Sequence, residues 1–142
     1  MAFVDGNGSR FRIADVNGVA RDLSAFITEV RGLPGARSLY EVTALGDSGA
    51  RFNPSVDAVE FTLRGIYDDT TSAGVDVVLG ALRYHTSPVV FEYAPSGFAA
   101  SKPRYTGECW VRSYELASRA GGPVSWQATL QVEGVTTRIV GT

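Results

Sequence analysis

The chain has 142 residues, of which 44% are hydrophobic, 11% aromatic and 20% charged, with a formal net charge of -2 and a pI near 5.3. That length suits one domain (1–142) able to bury roughly 68–70% of its unfolded surface without a metal or disulfide staple, and the composition excludes a disordered chain and leans toward β structure. The acidic balance removes the basic footprint of a tight nucleic-acid binder, and MAFVDGNGSRFR lacks a basic segment followed by an apolar one, so neither signal peptide nor membrane span is expected and the chain is expected to start in the cytoplasm.

Residues 1–9 are Gly-rich and short-sided, which predicts a flexible N-terminal arm that orders only against a partner. Phe11, Ile13 and Val16 begin the first regular segment. Asn17-Gly18 then predicts a type I′ hairpin turn, in which both central residues need positive φ, with Val19 to Arg21 returning. Asp22-Leu23-Ser24 reads as a turn or helical corner leading to a strand over Phe26 to Val30, closed by Gly32, Pro34 and Gly35.

Ser38 to Asp69 organises the rest. A short strand leads to Thr43–Pro54, a polar loop too long for a tight hairpin, with Leu45 and Phe52 its only sizeable apolar groups. Long loops without structure of their own are commonly functional, and this one reads as a contact arm. From Asp57 the pattern alternates: Val59, Phe61, Leu63 and Tyr67 on one face, Glu60, Thr62 and Arg64 on the other, the period of a half-buried strand.

One helix is expected next, with Asp69, Thr70, Thr71 and Ser72 as candidate caps. Val75, Val78, Leu79 and Leu82 form a narrow apolar stripe, as in a helix lying on a sheet. Arg83 and His85 fall near its C-terminus and Pro88 stops it. Val89, Phe91 and Tyr93 make another alternating strand, ended by Ala94-Pro95-Ser96-Gly97. Tyr105 to Leu116 reads as one long strand with Trp110, Tyr114 and Leu116 on one face and Cys109 and Val111 on the other. After the Ala120-Gly121-Gly122-Pro123 turn, Val124, Trp126, Ala128, Leu130 and Val132 alternate with Ser125, Gln127, Thr129, Gln131 and Glu133, one wet face and one dry. The sum is a mainly β chain of sandwich or small-barrel type, two packed antiparallel sheets with one flanking helix and a long inter-strand loop.

No catalytic constellation emerges. Gly46-Asp47-Ser48-Gly49 resembles the nucleophile motif of chymotrypsin-like proteases, but the only histidine, His85, follows the serine instead of preceding it. Cys109 reads as a strand-interior residue, not a nucleophile paired with His85. Asp68-Asp69 fits the positive end of a helix better than a metal or acid/base pair. Gly6-Asn7-Gly8 lacks the third glycine of a dinucleotide fingerprint, and no Cys, His and carboxylate cluster has ligand spacing. No cofactor and no metal are expected.

The order of DLSAFITEV, RSLYEVTALGDSGARFNPSV, VEFTLRGIYDDT, a helix, PVVFEYAPSG, Tyr105-Thr106-Gly107 and SWQATLQVEGVTTR resembles the tail tube (major tail) proteins of long-tailed phages, from about Phe11 to Thr137. The resemblance implies a β-sandwich with a flanking helix, hexameric rings stacked into a tube, and DNA passing through the lumen without specific binding. It further implies a place in the virion tail, assembly in the bacterial host cytoplasm, and tape-measure, tail terminator and distal tail proteins as partners. By resemblance the arm, with Thr43, Leu45, Asp47, Arg51, Phe52 and Pro54, is the ring-stacking element. Glu60, Thr62, Arg64, Gln127, Gln131 and Glu133 are the lumen-facing candidates, and six copies at -2 each carry -12 per ring, a charge that repels DNA phosphates. Two other classes fit the same strands: another virion ring component, such as a tail terminator or decoration protein, and a lipocalin-like barrel around a small ligand.

Overall fold

The computed structural model describes residues 3–69 and 74–140. Nine strands and one helix follow in the order β1 (Arg10–Ala14), β2 (Ala20–Asp22), β3 (Ile27–Arg31), β4 (Leu39–Glu41), β5 (Phe52–Pro54), β6 (Glu60–Ile66), α1 (Val75–Leu82), β7 (Val89–Ala94), β8 (Pro103–Ala117) and β9 (Ser125–Val140). Seven strands form one antiparallel sheet in the order β2-β1-β7-β8-β9-β6-β3, and β4 and β5 form a separate two-stranded ribbon. The expected mainly β fold with two antiparallel sheets and one helix is therefore present. The barrel alternative is not, because β2 and β3 end the sheet without meeting.

Alternation makes the core. Along β6, Phe61, Leu63 and Gly65 are buried while Glu60, Arg64 and Ile66 are exposed. Along β9, Trp126, Ala128, Leu130 and Val132 are buried. The rings of Phe11 in β1 and Phe61 in β6 lie 5.9 Å apart although three strands separate them in the sheet, and Phe91 closes the trio at 4.9 Å from Phe61. The sheet must therefore curl so that its two halves pack face to face. The long strands β8 and β9 carry the bend, with irregularities at Thr106/Glu108 and Val111/Ser113. Such bulges add one residue to a strand and increase its twist.

The bulge at Val111/Ser113 corrects one expectation. An extra residue reverses which face the following side chains occupy. Tyr114 pairs with Ala128 and Leu116 with Trp126, so both share the face of Cys109 and Val111, with Tyr114 half-buried and Leu116 exposed beyond the core, while Trp110 stays on the polar side. Tyr114 packs 6.3 Å from the Trp126 ring and donates to Asp76 on α1 at 3.1 Å. Burial first, then that carboxylate's hydrogen bond and charge, then Tyr67, push its phenol well above the ordinary value.

Two local expectations change in detail. The β1–β2 hairpin exists, but its turn runs from Asp15 to Gly18, and Gly18 alone takes positive φ, at 79°. Asp15 Oδ1 accepts from the Asn17 and Val19 amides at 2.9 and 3.0 Å, and Oδ2 accepts from Arg21 at 3.0 Å. These contacts hold Asn17 out of the left-handed region that a type I′ turn requires. The corner after β2 is a 3-10 turn at Ser24–Phe26, as expected. The helix starts at Val75 with Gly74 at its N-cap position; of the proposed caps, Thr70, Thr71 and Ser72 lie outside the described residues.

Candidate assembly surfaces

The Thr43–Pro54 segment is not a structureless loop. Leu39, Tyr40 and Glu41 pair with Pro54, Asn53 and Phe52. The Val42 amide donates to the Arg51 carbonyl at 2.8 Å and the Ser55 amide to the Ser38 carbonyl at 2.8 Å, which extends the ladder at both ends. Backbone pairing thus shortens the free tip to residues 43–50. Thr43 Oγ1 accepts from the Arg51 amide at 2.9 Å and Asp47 Oδ2 from the Ala44 amide at 2.7 Å, so both side chains close the tip. Arg51 lies 3.6 Å from Asp47. Asp47 and Arg51, expected as contacts to a neighbour, are partly occupied within the arm.

What the arm offers to the outside is apolar. Every residue of β4 and β5 is exposed. Leu45 at the tip is fully exposed, and Leu39, Tyr40 and Phe52 are 55%, 53% and 54% exposed. Apolar groups held rigidly in water by a ladder of backbone hydrogen bonds mark an interaction surface when they cluster. The Gly46-Asp47-Ser48-Gly49 stretch sits on this tip, where Asp47 serves the turn.

The second surface is the polar face of β3, β6, β9 and β8. Glu60, Thr62 and Arg64 lie directly across from Gln131, Thr129 and Gln127, so five of the six lumen-facing candidates form one patch. Glu133, the sixth, continues along β9 opposite Glu108. Trp110 donates to Glu133 at 3.0 Å, Arg112 bridges to Glu60, and Gln131 donates to the Val59 carbonyl at 3.0 Å. Register brings Glu29, Arg31, Glu108 and Glu115 to the same face. The face therefore holds five carboxylates against three guanidiniums. Trp110 and Arg112 join this face through cross-strand register, Trp110 opposite Gln131 and Arg112 at the β8 bulge, which alternation along one strand does not show.

The helix supports these surfaces from inside. Val75, Val78, Leu79 and Leu82 are all buried, the stripe the spacing predicts. Val111 and Cys109 lie in the same core, and burial pushes the Cys109 thiol up to about 12, far from the range of a reactive thiolate. Among the described residues no group of three His, Cys, Asp or Glu is placed to hold a metal ion. No described helix is long and apolar enough to cross a membrane.

A third cluster went unnoticed in the sequence. Arg12 in β1 and Arg104 in β8 both reach Glu92 in β7, at 3.2 and 3.3 Å, with Phe98 packed on Arg12. Arg12 and Glu92 are cross-strand partners, a pairing that appears only once β1 is known to lie beside β7.

No protein-family model matches the chain, and no curated protein sequence matches it. Solved structures do. The chain is similar to one in the tail of an empty gene transfer agent particle with C6 symmetry, at 15% identity and a TM-score of 0.73, covering 96% of this chain and 98% of that one. It is similar to the SPP1 tail tube at 14% identity and a TM-score of 0.75, covering 99% and 80%. A chain of the sheath–tube complex of an extracellular contractile injection system matches at 11% identity and a TM-score of 0.68, over 97% and 92%. At these identities the likeness is one of fold, and it spans the whole chain.

Proposed function

We propose that this chain is the building block of a tail tube in a virion: a structural protein that assembles into stacked six-membered rings and conducts DNA. The observation that carries this reading is the fold shared, end to end, with chains of tail tubes. The rigid, apolar arm supports it, since burying its exposed groups is favourable only against another molecule. In the tube the 43–54 arm stacks one ring on the next. The open strand margins at β2 and β3 find neighbours within the ring, which satisfies backbone groups that an edge leaves unpaired.

The polar face of β3, β6, β9 and β8 lines the bore. Its excess of carboxylates repels phosphate, so DNA slides through without specific binding. A tape-measure protein occupies the bore before DNA does, and terminator and distal tail proteins close the ends. Negative-stain microscopy of the purified protein at high concentration tests the reading. Long tubes with six-fold end views are expected. A monodisperse monomer at every concentration overturns it, and single closed rings that never stack point to a terminator instead.

A further inference from the structure

The Arg12–Glu92–Arg104 cluster lies on the outer face of β1, β7 and β8. Two guanidiniums share one carboxylate, which leaves an uncompensated positive charge. Phe98 covers them, its ring centre 3.7 Å from the Arg12 guanidinium carbon and 5.2 Å from that of Arg104. The Nε atoms of both arginines are buried without a hydrogen-bond partner among the described residues. Those buried atoms are closed to an outside partner, but the unmatched charge on the part-exposed Arg12 favours a further acceptor. The remaining approach is open: Arg12 and Glu92 form part of the wall of a groove of about 420 Å³ that also holds His85 and Asp15, the latter paired with Arg21 at 3.0 Å, among small or apolar groups including Ala14, Val16, Ala20 and Val90. With Asp15 neutralised by Arg21 and Glu92 shared by two arginines, the groove keeps one unmatched guanidinium beside apolar groups, which fits a segment that carries a carboxylate among apolar side chains.

The chain carries such a segment. Leu39 pairs with Pro54 and Glu41 with Phe52, so one face of the ribbon presents Leu39, Phe52 and Pro54 around Glu41. All four are exposed. The Glu41 carboxylate takes part in no hydrogen bond or ion pair among the described residues. The ribbon's unpaired carboxylate complements the groove's unmatched guanidinium, and its apolar side chains complement Ala14, Val16, Ala20 and Val90.

We propose that the groove between β1, β2 and β7 receives the ribbon of a second copy of this chain, with Glu41 of one copy seated on Arg12 of the other. The proposal rests on the tail-tube reading and names the receptor for its arm. Glu41→Arg tests the charge match. The lowest concentration at which tubes form should rise about tenfold or more, equivalent to ~1.4 kcal/mol per contact, while thermal melting of the exposed-site variant stays as in the parent. A second variant, Glu41→Cys with Ala20→Cys, tests the geometry directly; the native Cys109 is buried and does not compete. Oxidised tubes of this variant should run as a covalent ladder on a non-reducing gel. Assembly of Glu41→Arg at the parent's concentration, or double-cysteine tubes without a ladder, overturns the docking while parental tubes leave the tail-tube reading standing. Absence of any tubes from the parent protein overturns both.

Discussion

Leu45→Ser separates the stability of the subunit from the stability of the tube. Leu45 is fully exposed at the arm's tip and makes no part of the core, so its loss leaves the folded monomer within ~0.5 kcal/mol of the parent. At a chain length of 142 residues that shifts Tm by no more than about 2 °C. In the proposed stacking the same side chain is to be buried against the next ring, where an aliphatic group contributes about 1.5–3 kcal/mol. Each 1.4 kcal/mol is tenfold in an association constant, so the critical concentration for tube formation rises roughly ten- to hundredfold. Pelleting across a concentration series measures the second quantity and scanning fluorimetry the first. A variant that pellets like the parent refutes the arm's role in stacking. A Tm lowered by ten degrees would show instead that the tip packs on its own subunit.

Leu79→Asp places a carboxylate at a fully buried position on α1, a cost of several kcal/mol without a partner; a lost cooperative transition in circular dichroism is expected, and unchanged melting refutes the packing of the helix on the sheet. The milder Leu79→Ala should cost about 3–5 kcal/mol, read as a Tm about 10 °C or more lower. Gly65→Ala should misfold or aggregate, because a Cβ there collides with the Phe26 carbonyl oxygen and comes within 2.8 Å of Trp126 Nε1; urea unfolding with a normal midpoint would contradict the close approach of the Ser24–Phe26 turn to β6. Burial raises the pKa of Asp15, but the Val19 and Asn17 amides and Arg21 outweigh it and hold the carboxyl below its ordinary 3.8. A depressed folded pKa contributes stability that is complete above the unfolded value and lost as pH falls through the folded one. Asp15→Asn should therefore lower Tm near neutrality and narrow its gap to the parent as pH drops below about 4, by thermal melts across pH; a constant gap refutes the assignment.

How much was legible depended on how local the signal was. The β6 and β9 faces and the α1 stripe were read residue by residue, because alternation and helical spacing report burial directly along the chain. Alternation marks the polar face of each strand separately, and cross-strand register brings five of the six lumen-facing candidates into one patch on β6 and β9. The arm was recognised as a projecting element, but its ribbon was not: Leu39 to Glu41 and Phe52 to Pro54 are three-residue strands, too short to show a period. Asp47 and Arg51 looked like free contacts for the same reason, since closing the tip is what engages them.

Hydrophobic period and turn chemistry act between neighbours in the chain, so the sequence by itself determined the mainly β class, the buried faces of β6 and β9, the helix and the polar insertion between two strands. The order of strands in the sheet, the bulge that puts Tyr114 on the opposite face from Trp110, and the meeting of Arg12, Glu92 and Arg104 were decided only by tertiary structure. Those features come from which strands lie side by side and from one extra residue in a ladder. Neither leaves a repeat along the chain, because the energy that selects them comes from closing a curled sheet over a shared core.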